Sequence, residues 1–340
     1  MNQPSSRYVR VAEVISETPD AHSLVLEPVD GEPFDYHAGQ FLTVRIPGED
    51  GSARCYSLCS SPHTGEPARI TVKRTPGGHG SNWICDNIVA GSTLEVLRPS
   101  GTFTPKSLDQ DLLLLAAGSG ITPVMSILKS CLYAGSGSVT LVYANRDEQS
   151  VIFGRELTTL AAEFGDRLTV AHWLESERGL PDHAGLRELV APCTARAVFL
   201  CGPEPFMELA TDVMQELGVP RDRLAVEWFH SLSGDPFVDD PPEIDTSASS
   251  STVQVQLDGE TRTVTWPREN RLLDVLRADG LDAPFSCREG ACSACACMLL
   301  EGDVNLANNE ILDAQDLADG VILACQATPL TDHVKVTYDV

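Results

Sequence analysis

The chain reads as a multidomain protein with three units in series: an antiparallel β-barrel, an α/β unit on a parallel sheet, and a smaller α+β unit. Three observations predict this. The 340 residues are enough for two or three domains. The hydrophobic pattern changes character twice along the chain. A stretch rich in Pro, Asp and Ser separates the second unit from the third. Hydrophobic residues make up 42% and charged residues 21%, so each unit can pack a core.

Residues 1–107 carry short, partly alternating apolar runs: Val9–Ile15, Leu24–Leu26, Phe41–Ile46, Ile70–Lys73 and Leu94–Leu97. Gly, Pro and Asp clusters such as Pro28–Pro33 and Pro47–Gly51 separate them, which suits a small antiparallel barrel. Residues 108–231 change register. Leu112–Ala117 is a continuous apolar run, as a strand buried on both faces should be. Further strands are expected at Val139–Tyr143, Leu168–Trp173 and Ala197–Cys201, with helices at Pro123–Ala134, Phe153–Phe164, Ala184–Val190 and Pro205–Leu217. That alternation predicts a parallel sheet with helices on both faces. Residues 232–250 read as an extended, solvated linker. In residues 251–340, Thr252–Leu257 and Thr261–Trp266 flank Asp258-Gly259, a strong hairpin signal, and a helix is expected over Arg271–Asp279.

The formal net charge is −25, which disfavours nucleic acid and anionic membrane surfaces as partners. Met1–Arg10 has no apolar core of a signal peptide, and Leu112–Ala117 is far too short to span a bilayer. The expected location is the cytoplasm, where thiols stay reduced. Eleven cysteines there suggest metal binding or redox chemistry rather than a disulfide framework.

The cysteines resolve into a pattern. Cys287, Cys292 and Cys295 are spaced C-x4-C-x2-C, and Cys325 follows thirty residues on. This is plant-type [2Fe–2S] spacing. Soft thiolates suit iron–sulfur clusters or zinc. Four-cysteine zinc sites usually pair two C-x2-C knuckles, and here there is one. Gly290, Ala291, Ser293 and Ala294 are small, so backbone N–H groups can approach the sulfurs. Cys297 lies outside the completed spacing and reads as a packing residue. Residues 251–340 resemble the plant-type ferredoxin fold, a β-grasp domain. Arg288, beside a ligand, is expected to raise the cluster potential.

Arg54-Cys-Tyr56-Ser57-Leu-Cys-Ser60 lies at an expected strand end of the barrel. It matches the RxYSxxS motif of the ferredoxin–NADP reductase superfamily. The resemblance implies FAD: Arg54 on a flavin phosphate, the Tyr56 ring on the isoalloxazine, Ser57 near its N5. Lys73, in Val72-Lys73-Arg74, falls on the strand that lines the flavin in that family. Gly80, Ser81 and Asn82 fall in the loop whose amides hold the pyrophosphate at a helix start. Gly118-Ser-Gly120-Ile-Thr122-Pro123 resembles the family's GGxGITP turn for the NAD(P)H pyrophosphate, with Ala117 in place of the first Gly. Thr122 is then expected near nicotinamide and flavin. Cys201-Gly202-Pro203 resembles the CGP motif that positions the nicotinamide. Arg146 and Asp147 fall where the adenosine ribose is expected; Asp147 leans the reading to NADH, with NADPH open. Phe229 is expected to cover the flavin face that the nicotinamide must occupy.

In order, these segments make a circuit from NAD(P)H through FAD to the cluster. The whole chain resembles oxygenase reductase components ordered FAD, NAD, ferredoxin. The resemblance implies an enzyme, an NAD(P)H-dependent oxidoreductase, whose partner is a terminal oxygenase. A Rieske non-haem iron oxygenase acting on a steroid is favoured, and a di-iron enzyme is the alternative. A stand-alone flavoenzyme that reduces small acceptors is a further alternative. The third unit holds 15 Asp and Glu against 6 Lys and Arg, which suits docking on a basic surface.

Overall fold

A computed structural model describes residues 6–48, 53–232, 234–237, 244 and 249–339. Three sheets follow one another along the chain. The first is built from β1 (Ser6–Thr18), β2 (Ala21–Pro28), β3 (Phe41–Arg45), β4 (Ala53–Ser57), β5 (Ala68–Lys73) and β6 (Thr93–Leu97), with helix α1 (His79–Asn87) between β5 and β6. Its order is β4-β3-β6-β1-β2-β5, antiparallel throughout. A bridge from Leu58 to Ile70 joins the two edges, so the sheet curls into a barrel. Val9, Val11, Leu24, Leu26, Leu42, Val44, Ile70 and Val72 point inward at two-residue spacing and are buried. The segment placed at a strand end is itself a strand: β4 pairs with β3 over five residues. Its Arg, Cys and Tyr hide the usual alternation, which is why the pattern does not announce it.

The second sheet comes from β7 (Leu112–Ala117), α2 (Ile121–Ala134), β8 (Val139–Asn145), α3 (Gly154–Phe164), β9 (Leu168–Leu174), α4 (Glu175–Arg178), α5 (His183–Val190), β10 (Ala197–Cys201), α6 (Glu204–Glu216) and β11 (Leu224–Glu227). Its order is β11-β10-β7-β8-β9, all parallel. β7 is central, and its six residues serve two cores. Leu112, Leu114 and Ala116 pack with α2 and α3; Leu113, Leu115 and Ala117 pack with α5 and α6. Each fully buried Leu here contributes roughly 2 kcal/mol of burial energy. The strand order reverses beside β7, and its C-terminal end is the crevice where an α/β sheet binds ligands. β11, a short strand not expected from the pattern, forms the edge next to β10.

The third unit holds β12 (Ser250–Leu257), β13 (Glu260–Pro267), α7 (Leu272–Ala278), β14 (Ala296–Glu301), β15 (Val304–Leu306), α8 (Ala314–Ala318), β16 (Val321–Leu323), β17 (Ala327–Pro329) and β18 (His333–Thr337). A mixed sheet, β13-β12-β18-β14-β16, packs on α7 through Leu272, Leu273, Val275 and Leu276 against Trp266, Val253 and Val336. β15 and β17 form a separate pair. The hairpin turn has φ of 54° at Asp258 and 75° at Gly259, the two left-handed positions that a type I′ turn requires.

The segment expected to be a solvated linker starts as a packed strap. Leu232 and Phe237 are 5% and 7% exposed and share a core with Ala53, Leu97, Cys287 and Ala291. Residues 233, 238–243 and 245–248 of the expected linker lie outside the described residues. Apolar side chains spaced five apart in a Pro- and Asp-rich stretch give no periodic signal, so only the fold reveals the packing. Among the described residues, no helix is long and apolar enough to cross a membrane.

Candidate redox site

Cys287, Cys292 and Cys295 sit on the loop between α7 and β14, and Cys325 sits between β16 and β17. Two loop positions take left-handed backbone, Arg288 (φ 60°) and Gly290 (φ 85°). A side chain at Gly290 would also press on the Asn308 carbonyl at 2.9 Å. Arg288 tolerates its conformation because it is held at both ends. Its carbonyl accepts from Gln326 Nε2 at 2.9 Å, and its guanidinium donates to Asp274 at 2.7 Å. The Asp274 carboxylate therefore offsets the Arg288 charge, which weakens the expectation that this arginine raises the cluster potential.

Cys287, Cys295 and Cys325 are 2–3% exposed, and Cys292 is half-buried. N–H groups point at the sulfurs: Cys287 N to Cys292 Sγ at 3.3 Å, Glu289 N to Cys287 Sγ and Gln326 Nε2 to Cys325 Sγ at 3.4 Å. Hydrogen bonds from the Cys292 and Cys325 thiols hold Cys287 far below the usual thiol range, and the same bonds push those two donors up. The four thiols thus neighbour one another in a chain, Cys292 to Cys287 to Cys325 to Cys295. Among the described residues no group of three or more His, Cys, Asp or Glu is arranged around a single metal ion. Four neighbouring sulfurs approached by N–H donors suit a cluster held by four thiolates. Cys297 is buried on β14 in the domain core.

The barrel supplies a second set. Arg54 on β4 donates to the carbonyls of Ala53 (2.6 Å) and Leu232 (3.1 Å). Its stem fills the space beside Gly80, where a Cβ would stand 2.8 Å from it. Helix α1 begins behind Gly78, which offers no side chain to cap it, and its first turn lies against Arg54 at Gly80. Ser81 Oγ accepts from Thr75 N, and Asn82 Nδ2 donates to Thr75 O, both at 3.2 Å. This cradle of guanidinium and helix start fits a flavin pyrophosphate. Tyr56 is half-buried, and loss of water pushes its phenol up. Lys73 approaches Gly118, its Nζ 3.6 Å from where a Cβ would be, and burial lowers its pKa.

The turn after β7 presses on β10. A Cβ on Gly120 would lie 2.1 Å from the Cys201 carbonyl, so backbone meets backbone there. Gly202 is less tight, with Ala117 and Phe206 side-chain atoms at 3.0 Å from where a Cβ would be, and Pro203 caps α6. Thr122 is 3% exposed and donates to Ser119 O at 3.1 Å; Pro123 is buried behind it on α2. Arg146, expected at a ribose, pairs with Asp20 of the barrel at 3.0 Å. Asp147 caps the next turn through Ser150 N at 2.9 Å. Asn145 beside them is buried with neither amide atom hydrogen-bonded, an opening for a polar ligand.

A cleft of about 1050 Å³ opens where the three units meet. Ser57, Cys55, Phe229, Glu227 and Cys292 line it. Phe229 is 49% exposed on its wall rather than packed in a core. Glu227 pairs in register with Cys201 across β10 and β11. It is partly open to the cleft yet shielded enough that loss of water drives its carboxyl up to about 8. Burial, then the Glu227 charge, pushes the Cys201 thiol up. Glu227 was not singled out in the sequence. Its one signal is a carboxylate immediately before two aromatics at the end of an apolar stretch. The cluster loop, Cys55 of the barrel and Phe229 of the α/β unit thus share one cleft, while Lys73, Arg146 and Gly118 do not line it.

Fold and site together define a pyridine-nucleotide-dependent flavin and iron–sulfur reductase. Matches to family models agree: an oxidoreductase FAD-binding domain over 8–104, an oxidoreductase NAD-binding domain over 114–212 and a 2Fe-2S iron-sulfur cluster binding domain over 255–330. The chain is 54% identical to the 3-ketosteroid-9-alpha-monooxygenase ferredoxin reductase component of Mycobacterium tuberculosis, over 97% of this chain and 95% of that protein. It is 53% identical to the Rhodococcus rhodochrous protein of that name, over 96% and 95%. It is also 33% identical to one of the subunits of 1,2-phenylacetyl-CoA epoxidase from Escherichia coli, over 97% and 96%. Phthalate dioxygenase reductase shares the fold, with a TM-score of 0.58 at 24% identity over 98% of both chains. The chain belongs to the family of three-domain FAD and [2Fe–2S] reductase components, and it is an NAD(P)H-dependent oxidoreductase.

Proposed function

We propose that the protein carries electrons from NADH to a Rieske-type non-haem iron oxygenase of the 3-ketosteroid 9α-hydroxylating kind. The relation at 54% identity along nearly the whole chain carries this reading, against 33% for the epoxidase relative. When bound, the flavin accepts a hydride's two electrons and releases them singly, and the cluster takes one at a time.

The chain's own residues hold and separate these groups. Arg54, Gly80, Ser81 and Asn82 bind the flavin pyrophosphate, and Tyr56 and Ser57 orient its ring. Lys73 sits at the edge where flavin and nucleotide meet. Gly118, Gly120, Thr122, Pro123 and Arg146 hold the nucleotide, and Cys201, Gly202 and Pro203 position its nicotinamide. Phe229 keeps water off the flavin until the nicotinamide displaces it. Cys287, Cys292, Cys295 and Cys325 ligate the cluster.

The test is turnover with purified oxygenases of both kinds. Product formed in step with NADH consumed, with the Rieske enzyme and not the di-iron enzyme, is the expected result. Coupling to the di-iron enzyme alone sinks the Rieske reading. NADH oxidation that no oxygenase accelerates points to a stand-alone flavoenzyme.

A further inference from the structure

We propose that Thr43 and Ser286 form a docking pin that seats the cluster loop on the flavin barrel and sets how fast an electron crosses between the two centres. This rests on the electron path proposed above. Thr43 Oγ1 on β3 and Ser286 Oγ in the cluster loop are 2.6 Å apart, 243 positions apart in sequence, and each residue is 1% exposed. Cys55 Sγ on β4 closes the contact, 3.6 Å from Thr43 Oγ1 and 3.8 Å from Ser286 Oγ.

The placement matters because of what lies on either side. Cys55 is bonded to Tyr56 of the flavin motif, and Ser286 is bonded to Cys287 of the cluster motif. From Tyr56 to Cys287 the path is covalent except for the 3.8 Å step from Cys55 Sγ to Ser286 Oγ, which Thr43 braces from the side. Ala53, Leu97, Leu232 and Phe237 pack around it and exclude water. Ser100 Oγ also donates to Phe285 O across this junction, at a longer 3.4 Å. The ion pair of Arg98 with Asp282, and Thr102 Oγ1 to Ser293 Oγ at 3.0 Å, lie nearer solvent. Water competes for such exposed pairs, so they hold position weakly. A buried hydroxyl stripped of its partner has no such substitute. Sliding the two surfaces while they stay packed therefore strands both hydroxyls, and the bond favours one seating. The step it governs is simple. With both groups bound, the electron lost by the flavin would be the one gained by the cluster, and the proton lost with it would leave to solvent. Thr43 and Ser286 are positioning residues; neither reacts.

The test uses the full chain loaded with FAD and cluster, comparing the parent with Thr43→Val and Thr43→Ser. Rapid mixing with NADH reads flavin bleaching and cluster reduction separately. Amide exchange of residues 285–292 is measured without NADH, and the cluster is checked by its EPR spectrum. In Thr43→Val, cluster reduction should slow several-fold and exchange in the loop should rise several-fold. Flavin bleaching and the EPR spectrum should not change, and Thr43→Ser should restore parent behaviour. Parent-rate cluster reduction in Thr43→Val, or unaltered loop exchange, overturns the pin. If Thr43→Val does not load, Ser286→Ala is held to the same two readouts. A parent protein that bleaches its flavin yet never reduces its cluster defeats the electron path itself, and that result is visible before any variant is made.

Discussion

Glu227 shows how a single residue can be invisible in sequence and prominent in the fold. It sits at the end of an edge strand, in register with Cys201, on the wall of a cleft shared by three domains. Water loss raises its carboxyl to about 8. The folded state then binds a proton more tightly than the unfolded chain, whose carboxyl has the ordinary value of 4.5. Stability from this group is full below pH 4.5 and is lost as pH rises toward about 8. Glu227→Gln should therefore raise the thermal midpoint relative to the parent, and the gain should grow between pH 5 and pH 8. A gain that is flat with pH would count against a raised carboxyl. Gly120 is the opposite case. Its contact with the Cys201 carbonyl leaves no room for a side chain, and the Gly-x-Gly pattern already announces it.

At the scale of elements, the strands buried on both faces were the most legible. Leu112–Ala117 and Ala197–Cys201 appear with the bounds read from their apolar runs. β4 and β11 were not legible, because both are short and carry polar or half-exposed residues. They are also the strands that bring Cys55, Ser57 and Glu227 to the cleft. Leu232 and Phe237 of the stretch expected to be solvated are packed. Phe237 lies under the Arg45 guanidinium, 4.7 Å from ring centre to Arg45 Cζ, and Asp235 pairs with the same guanidinium at 3.6 Å. Phe237→Ala should cost about 3 kcal/mol, the usual toll for a buried ring. Denaturant unfolding should show the loss, and limited proteolysis should cut the strap sooner. An unchanged unfolding midpoint would mean that the strap is not held by its ring.

On the scale of the whole molecule, charge separates internal from external transfer. The cluster loop meets the barrel through buried contacts, which salt screens little. The outward face of the acidic third unit is solvated, and a partner must approach it through water. Screening shortens from about 10 Å at 0.1 M salt to about 3 Å at 1 M. Cluster reduction by NADH should thus hold steady across that range while reduction of the oxygenase slows. Equal loss in both steps would place the salt effect inside the reductase.

The sequence by itself determined which groups this protein holds. Cysteine spacing, the RxYS segment, the Gly-rich turn and the CGP segment are local. Each needs a fixed order of small, apolar and liganding residues within one turn or one strand end. The tertiary structure alone decided how these groups face one another. The seating of Ser286 on Thr43, the strap folded beneath Arg45 and the cleft shared by Ser57, Phe229 and Cys292 join residues up to 243 positions apart. Such contacts depend on buried surfaces that form only when whole units dock, and no local pattern encodes the partner across the gap.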